Sequence, residues 1–412
     1  MKEIERKKYA ELLVKIGINL QPGQVLVLQT NTDGMELARA VTEAAFVAGA
    51  KDVIVHIEDA DIRRLRAKYV DIETLREVPE WKKESLDYYF RQKGCQLGIM
   101  GTYPTLFDGI DNEKVMTLSA AENELRNVVR HHIHNGNIQW NGNVHANKDW
   151  AKKVYPELPE DEAYTKLEDA LLTMVRVKDV DDPIKAWADH CERLAKISDK
   201  LNSYNFDFVH ITTGIGTDIK IRLAKNHIWG SAGQTGAETG LPVYIANIPT
   251  EEIYTDPDRR YVDGVAVAAL PLMLNGKLIE DFSITFKDGL AVECEARTNE
   301  DVLKEALFKD DCTRRLGEVA FVSKHSPIRQ MGRVFYNTLL DENAASHLAF
   351  GTSFPSCVKG AATMTTEELL EHGINVASCH TDFMIGTDDM KAVGTTFDGT
   401  EVVIMDDGDF VI

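Results

Sequence analysis

Five short segments in the second half of the chain contain glutamate, aspartate and histidine, which are the side chains that bind divalent metal ions. In chain order the segments are 249–254 (PTEEIY), 314–319 (RRLGEV), 341–347 (DENAASH), 350–355 (FGTSFP) and 380–384 (HTDFM). Carboxylate and imidazole ligands without thiolate suit Zn, Co, Mn or Mg rather than copper or an iron–sulfur cluster. More than three acidic groups in one site require more than one cation, and two cations could activate a shared water.

The spacing of His380 and Asp382 is compatible with one metal site. Side chains two residues apart on a strand point to the same side of a sheet, so both could reach one ion. The alternative is a surface histidine beside a surface aspartate, which is the commoner origin of an isolated His-x-Asp pair.

Glu318 lies within the apolar run 316–322, where a carboxylate is costly to bury unless it is paired or binds a metal. The alternative is an ion pair with Arg314 or Arg315. His347 lies among small and apolar residues, so it is either a ligand or a hydrogen-bonded core histidine. Neither residue identifies a metal site by itself.

Composition limits the classes of function. The chain has 412 residues, of which 44% are hydrophobic and 27% charged, and this indicates a globular protein of two domains. The net charge of -20 disfavours nucleic acid and anionic membranes as partners. The N-terminus has no apolar segment typical of a signal peptide. The six cysteines form no CxxC pair, so we expect reduced thiols and a cytoplasmic location.

The pattern of elements predicts an α/β fold. In the first half, helical periodicity over 4–17 and 34–48 alternates with strand patterns at 25–28, 52–56 and 96–101, which favours a parallel sheet. Residues 112–200 are predicted to be mainly helical. After residue 205 the pattern changes to strands at 207–212, 218–223, 401–405 and 410–412, with a helix at 299–310. We predict an α/β N-terminal domain with a parallel sheet (1–200) and a mixed α+β catalytic C-terminal domain (201–412), with a boundary near 195–205.

Taken together, the five segments make the chain resemble the aminopeptidase T family, the M29 metallopeptidases. The motifs 19–24 (NLQPGQ) and 216–218 (GTD) also match, so the resemblance covers essentially the whole chain. The resemblance implies two divalent ions per subunit (Zn, Co, Mn or Mg), a homodimer with enclosed active sites, and removal of the N-terminal residue from short peptides with a free N-terminus. The metal ligands that it implies are Glu252, Glu318, His347, His380 and Asp382, with Glu318 bridging and Glu342 completing the second metal site.

One departure from the family pattern concerns the oxyanion. The family carries a tyrosine at the position of Phe354, where this chain retains only a ring in the substrate-binding region. Losing such a hydroxyl donor slows turnover by roughly two to three orders of magnitude. Tyr254 stands where the family has phenylalanine, two residues after Glu252 and thus on the same face of a strand. We hypothesise that Tyr254 supplies the hydroxyl; the alternative is that it only packs.

The proton acceptor for the attacking water is open at this stage. Glu251 is adjacent to Glu252 but points to the opposite face of a regular strand. Glu318 could hold the water instead, so both glutamates are catalytic candidates, with one of them assisting a metal-activated water.

Two other classes of function compete with the hydrolase. One is an iron-dependent ring-cleaving dioxygenase of related fold, which needs one metal and fewer acidic ligands. The other is a metal-binding homologue with weakened catalysis, which only Phe354 supports. Three further motifs carry no function: 214–216 (GIG) indicates a turn, 131–134 (HHIH) a solvated helix face, and Cys379 points away from the ligands.

Overall fold

A computed structural model describes residues 1–134, 136–236 and 240–412, without the side chains of residues 134, 234–236 and 362. The chain forms two compact units. The first contains residues Met1–Asp189 and Gly233–Pro249, and the second contains His190–Ala232 and Thr250–Ile412. The two units are not consecutive stretches of the chain, since the segment Gly233–Pro249 belongs to the first unit. The single domain boundary near 195–205 stays a prediction.

The elements of the first half alternate between helices and short strands. In chain order they are α1 (Glu3–Leu12), β1 (Val25–Asn31), α2 (Met35–Val47), β2 (Asp52–Glu58), α3 (Ala60–Tyr69), α4 (Ile72–Arg76), α5 (Glu80–Arg91), β3 (Cys95–Met100), α6 (Asn112–His134), β4 (Trp140–Val144), α7 (Lys148–Val154), α8 (Glu160–Met174) and α9 (Pro183–Tyr204).

The second half is dominated by strands. In chain order its elements are β5 (Phe206–Thr212), β6 (Asp218–Leu223), β7 (Gly233–Gly236), β8 (Leu241–Ile245), β9 (Glu252–Thr255), β10 (Pro257–Val267), β11 (Leu272–Leu274), β12 (Lys277–Lys287), β13 (Leu290–Thr298), α10 (Glu300–Leu307), β14 (Leu316–Val322), α11 (Pro327–Gln330), α12 (Thr338–Asp341), β15 (His347–Gly351), α13 (Thr366–Glu371), β16 (His380–Met384), β17 (Lys391–Thr396), β18 (Glu401–Asp406) and β19 (Asp409–Phe410).

A four-stranded parallel sheet of order β2-β1-β3-β4 forms the first unit's sheet layer. Strand β1 is apolar at Leu26, Val27 and Leu28, which are fully buried, as expected for an inner parallel strand. Helix α2 connects β1 to β2, the usual crossover between parallel strands. The predicted α/β layer is therefore confirmed.

Residues 112–200 are mainly helical, as predicted, with strand β4 (WNGNV) as an exception, because its pairing with β3 is non-local and its polar residues carry no period-two pattern. One local expectation in the first unit was wrong. His132 is not on a solvated face: it is buried, and its Nε2 lies 2.8 Å from Oδ1 of Asp87 on α5. His134 belongs to the same motif, but its side chain is not among those that the structure describes.

Antiparallel sheets form the second unit, which confirms its predicted mixed α+β class. A nine-stranded sheet has the order β11-β12-β10-β6-β5-β17-β18-β19, with β13 paired to β12. A separate four-stranded sheet has the order β16-β15-β14-β9. Its central strand β14 is buried at every position, so any charged side chain on it must have a partner or a ligand. Within the described residues, no helix has the length and hydropathy needed to cross a membrane.

Candidate metal centre

The four-stranded sheet of the second unit carries five of the six predicted metal ligands, and each of its four strands contributes at least one. The ligands and their strands are Glu252 on β9, Glu318 on β14, His347 on β15, and His380 and Asp382 on β16. These strands are far apart in sequence, and their antiparallel pairing brings Glu318 opposite Ala349, which in turn lies opposite Asp382. The sheet therefore gathers five residues that span more than a hundred positions of the chain.

Two groups of three ligand atoms share one carboxylate. In the first group, ligand atoms of Glu252, Glu318 and His347 all lie within 4.8 Å of one another. In the second group, ligand atoms of Glu318, His380 and Asp382 meet the same limit. All of these residues are buried except His380, which is half-buried. Glu318 belongs to both groups, so one carboxylate connects the two sets of ligand atoms.

The imidazole of His380 is oriented by hydrogen bonds on both nitrogens. Its Nδ1 lies 2.7 Å from the carbonyl oxygen of Thr352, which can only accept, so Nδ1 carries the proton. The other nitrogen, Nε2, lies 2.9 Å from Oε2 of Glu318 and 3.1 Å from Oδ1 of Asp382. This carbonyl–histidine arrangement fixes the tautomer that presents a lone pair to a metal.

His347 has the same arrangement in the other group. Its Nδ1 donates to the carbonyl oxygen of Ala345 at 3.1 Å, and its Nε2 lies 3.3 Å from Oε2 of Glu252. The side chain is 1% exposed. A hydrogen-bonded core histidine has the same burial and the same contact with Glu252, so the case for a ligand rests on the convergence of Glu252, Glu318 and His347.

Glu318 pairs with neither of the arginines that precede it. Arg314 lies 3.6 Å from Asp311, and Nη1 of Arg315 donates to a main-chain carbonyl. Gly317 lies in a bulge between the paired residues Leu316 and Glu318. A Cβ at Gly317 would lie only 2.4 Å from the carbonyl oxygen of Thr352, so the bulge that positions Glu318 requires glycine.

The buried acids of the centre are difficult to ionise without added positive charge. Burial raises the pKa of Glu318, and the nearby Asp382 and Glu252 raise it further against the opposing effect of His380. Burial also raises the pKa of Glu342 well above its usual range, with repulsion from Asp382 and Glu252 adding to it. Asp382 differs: burial acts to raise its pKa, but His380 outweighs this and lowers it.

The histidines show the matching effect. Burial acts to lower the pKa of His347, but the hydrogen bond and charge of Glu252 raise it to about 10. Burial also opposes a charged His380, yet Asp382 and Glu318 raise its pKa well above the usual range. The centre thus has an excess of negative charge that attracts protons, and divalent cations would neutralise the same charge with oxygen and nitrogen ligands. The residues present therefore fit a divalent metal site.

Glu342 lies beside this centre rather than in either group. It begins the 3₁₀ turn Glu342–Ala344, and its Oε1 lies 3.4 Å from Nδ2 of Asn343. The charges of Asp382 and Glu252 raise its pKa, and the charge of His347 opposes them. A role as a direct ligand of the second metal stays a prediction.

Tyr254 and Phe354 form an aromatic contact next to the ligands. Their ring centroids are 5.8 Å apart in an edge-to-face arrangement, and the Phe354 ring lies 4.8 Å from that of His380. The Tyr254 ring covers Gly230, where an added Cβ would lie 3.0 Å from Cζ of the tyrosine. Tyr254 and Phe354, for which the sequence predicts an exchanged hydroxyl, are therefore in contact.

The carboxylate of Glu251 is directed to helix α9. One of its oxygens lies 3.7 Å from Nε2 of His190 and 3.9 Å from Nη2 of Arg193. Its main-chain N–H donates to Oδ1 of Asn343 at 2.7 Å, next to Glu342. This contrasts with the neighbouring Glu252, whose carboxylate lies in the metal centre, as alternation along β9 requires.

Asp256 is a buried acid that sequence reasoning missed. It is 0% exposed, and Oδ1 accepts a hydrogen bond from the main-chain N–H of Phe354 at 3.0 Å. Burial raises its pKa well above the usual range, and the charge of Glu318 adds to this. The sequence offered one indication of a role for Asp256, its position four residues after Glu252 and directly before Pro257. A surface turn has the same sequence pattern, so this indication was not specific.

A surface depression lies elsewhere in the second unit. It has a volume of about 600 Å³ and is lined by residues of β12, β13 and α10, among them Glu293, Arg297 and Lys304. None of its lining residues is a predicted ligand. We assign the chemistry to the buried centre because that is where the donor atoms converge.

Known proteins are similar to this chain over nearly its whole length. The family model described as thermophilic metalloprotease (M29) matches residues 2–410. The chain is 38% identical to aminopeptidase PepS of Streptococcus thermophilus over 98% of both chains. It is 35% identical to aminopeptidase AmpS of Bacillus subtilis (strain 168), over 98% of this chain and 97% of the relative.

A solved structure shares the fold over its full length. The wild-type AmpT from Thermus thermophilus superposes with a TM-score of 0.92 at 33% sequence identity, covering 99% of each chain. With a match over nearly every residue and a buried centre of carboxylates and histidines, the chain belongs to the M29 family of thermophilic metalloproteases.

Proposed function

We propose that this protein is a metal-dependent aminopeptidase that removes the N-terminal residue from short peptides with a free N-terminus. The observation that carries the proposal is Glu318, whose carboxylate belongs to two groups of buried ligand atoms. The curated relatives PepS and AmpS are aminopeptidases over the full length of the match.

We assign one divalent ion to Glu252, Glu318 and His347, and a second to Glu318, His380 and Asp382, with Glu342 as the candidate that completes the second site. The set of oxygen and imidazole donors accepts Zn, Co, Mn or Mg. When bound, the two ions acidify a water molecule and polarise the scissile carbonyl group.

The remaining steps are carried out by the protein's own residues. Glu318 is the candidate that holds the attacking water by accepting a hydrogen bond from it. The hydroxyl of Tyr254 donates to the carbonyl oxygen of the substrate as negative charge develops there. Phe354, which lies between Tyr254 and His380, lines the substrate side of the centre. We propose a positioning role for Glu251, since its carboxylate lies beside His190 and Arg193.

The cellular context is part of the same proposal. All six cysteines carry free thiols, as expected for a cytoplasmic enzyme. The homodimer with enclosed active sites is inferred from the family resemblance, and such an enclosure would favour short peptides over folded proteins. Sedimentation of the purified chain tests the dimer directly.

Peptide cleavage followed by mass spectrometry tests the activity. A mixture of short peptides, half with free and half with acetylated N-termini, is incubated with protein loaded with Co or Zn and again after EDTA. We expect stepwise loss of N-terminal residues from the free peptides only, abolished by EDTA and by Glu318→Gln. Glu280→Gln, on the separate nine-stranded sheet, is the control and should cleave like the wild type. Equal cleavage of acetylated peptides would contradict the proposal.

The competing functions make different predictions in the same assay. A ring-cleaving dioxygenase would bind one iron through few acidic ligands and would consume oxygen, whereas four carboxylates surround this centre. A weakened homologue would retain its metal without cleaving any peptide. Oxygen uptake without peptide cleavage would favour the first, and bound metal without either reaction would favour the second.

A further inference from the structure

Arg259 and Arg315 place two guanidinium groups together in the second unit without a carboxylate partner. Nη1 of Arg315 donates to the main-chain oxygen of Arg259 at 2.7 Å, and Nη2 of Arg259 donates to Sγ of Cys312 at 3.7 Å. In the described part of the chain, neither guanidinium lies within ion-pair distance of an aspartate or glutamate. Both of their partners are neutral.

Both guanidinium groups also retain unused donors. The Nε atoms of Arg259 and Arg315 are buried, and neither has a hydrogen-bond partner among the described residues. A buried donor without a partner is unfavourable, and the repulsion of two adjacent cations adds to this cost. Burial lowers the pKa of Arg315, and the charge of Arg259 lowers it further. A water molecule could accept from the Nε atoms, but it would leave both positive charges in place.

Neighbouring arginines show that carboxylates are available locally. Arg260, the next residue after Arg259, lies 2.7 Å from Oδ2 of Asp258, and Arg314, the residue before Arg315, lies 3.6 Å from Asp311. The chain as a whole contains 66 acidic and 46 basic residues, so acids are in excess. The pair therefore remains unpaired in an environment where its neighbours are neutralised.

The backbone holds the pair in fixed positions. The carbonyl oxygen of Arg315 accepts from the N–H of Gly351, at the end of β15, at 2.8 Å. The N–H of Arg259 donates to the carbonyl oxygen of Gly373, also at 2.8 Å. Nδ2 of Asn375 donates to the carbonyl oxygen of Gly351 at 2.6 Å. These contacts anchor the backbone of both residues beside the sheet that carries the metal ligands, and the bonds to the Arg259 carbonyl oxygen and to Cys312 orient the two guanidinium groups.

We propose that Arg259 and Arg315 form a binding site for a small oxyanion. A planar guanidinium matches the two oxygens of a carboxylate and the oxygens of sulfate or phosphate, and charge-assisted hydrogen bonds of this kind are strong. The anion can come from two sources: the C-terminal carboxylate of a bound peptide or a free inorganic anion. The peptide source rests on the proposed aminopeptidase function, whereas the site itself does not.

Sulfate is the probe for the site. Binding is measured by isothermal titration calorimetry on the metal-loaded full chain at constant ionic strength. We expect Arg259→Gln and Arg315→Gln to weaken sulfate binding by about tenfold or more, the ratio for losing one charge-assisted hydrogen bond. Arg260→Gln and Arg314→Gln are matched controls, because each is adjacent in sequence and has its own carboxylate, and they should bind sulfate like the wild type.

Equal sulfate affinity in the wild type, Arg259→Gln and Arg315→Gln would overturn the site. Arg315→Lys is a milder variant that controls for loss of folding, because it keeps the positive charge and removes only the planar guanidinium group. We expect its sulfate affinity to lie between those of the wild type and Arg315→Gln. Near-ultraviolet circular dichroism of each variant reports the integrity of the fold. None of these measurements requires peptide turnover, so they stand even where the aminopeptidase proposal fails.

Tripeptides with free and amidated C-termini distinguish the two sources of the anion. Where the anion is the peptide's own carboxylate, amidation raises KM in the wild type and in Arg314→Gln, and this penalty disappears in Arg315→Gln. Where the anion is free, amidation has the same effect on KM in all three proteins, while the sulfate affinity still falls in Arg315→Gln.

Discussion

Oε2 of Glu318 lies 2.9 Å from Nε2 of His380, a residue 62 positions later in the chain. The same glutamate contributes a ligand atom to a second group with Glu252 and His347. One carboxylate therefore links two sets of ligands that come from all four strands of a sheet. Changes at Glu318 should affect both sets, whereas changes at an outer ligand should affect one.

Metal content separates these two cases. We expect about two ions per wild-type chain, about one in Glu252→Gln or Asp382→Asn, and close to none in Glu318→Gln. The reason is that a bridging carboxylate supplies a charge to both ions, and an amide supplies none. Inductively coupled plasma mass spectrometry after dialysis measures the number of metal ions per chain. The rate of peptide cleavage should fall by at least about a hundredfold in Glu318→Gln. One retained ion in Glu318→Gln would show that this carboxylate does not bridge.

The contact between Tyr254 and Phe354 leads to a prediction about the oxyanion. Tyr254→Phe should lower kcat by roughly two to three orders of magnitude with a smaller change in KM, because a donor used in the transition state is lost. It should also weaken the binding of a phosphinic peptide, which carries oxygens at the tetrahedral centre. Tyr261→Phe, which alters an exposed tyrosine on β10, is the control.

A hydroxyl at the other position should compensate for the loss. The rings of Tyr254 and Phe354 are in contact, so the double variant Tyr254→Phe with Phe354→Tyr moves the hydroxyl across that contact. We expect the double variant to recover much of the turnover lost in Tyr254→Phe. Unchanged turnover in Tyr254→Phe alone would mean that the tyrosine only packs against Phe354.

Local patterns predicted the parallel α/β layer of the first unit, but they did not predict the sheet that carries the centre. The α/β class and the parallel sheet were correct because periodicity and turn residues act over short distances. The order β16-β15-β14-β9 was not predictable, since it depends on pairing between distant strands. Glu318 illustrates the difference: its apolar surroundings indicated a special role, but pairing with Arg314 or Arg315 was equally compatible with the sequence.

Some features of the site have no strong sequence pattern. The bulge at Gly317 depends on the approach of the Thr352 carbonyl oxygen from another strand. Asp256 and the pair of Arg259 and Arg315 become notable only when their surroundings are known. A polar side chain reveals its role through the partners that it has or lacks, and folding supplies those partners.

Burial raises the pKa of Asp256 well above the usual range and so favours the neutral form of this carboxyl group. Asp256→Asn keeps an oxygen that can accept from the N–H of Phe354, so we expect a cost below about 1 kcal/mol. Asp256→Ala removes that acceptor and leaves a cavity, so we expect a loss of about 2 kcal/mol or more in the free energy of unfolding. Urea unfolding of metal-free protein measures both. A similar cost for the two variants would indicate that the carboxylate is ionised.

The buried side chain of His227 should make the free energy of unfolding depend on pH. Its Nδ1 donates to the carbonyl oxygen of Ala224 at 3.1 Å, and its Nε2 is buried with no hydrogen-bond partner among the described residues. Burial lowers its pKa to about 4. In the unfolded chain the ordinary histidine pKa of about 6.5 applies. Between these values the unfolded chain binds a proton that the folded chain does not, so lowering the pH favours unfolding.

The free energy of unfolding should therefore fall by about 2 kcal/mol between pH 7.5 and pH 5 through His227 alone, and by about 3 kcal/mol once the pH reaches the folded pKa. The variant His227→Phe has no imidazole to bind a proton in the unfolded chain. The carbonyl oxygen of Ala224 still accepts a hydrogen bond from the main-chain N–H of residue 227 in this variant. The comparison is made by urea unfolding at both pH values, with His372→Gln as the control on an exposed histidine. The wild type should lose more stability than His227→Phe on acidification, and His372→Gln should follow the wild type. Parallel losses in all three proteins would mean that His227 is protonated to the same extent in the folded and unfolded states.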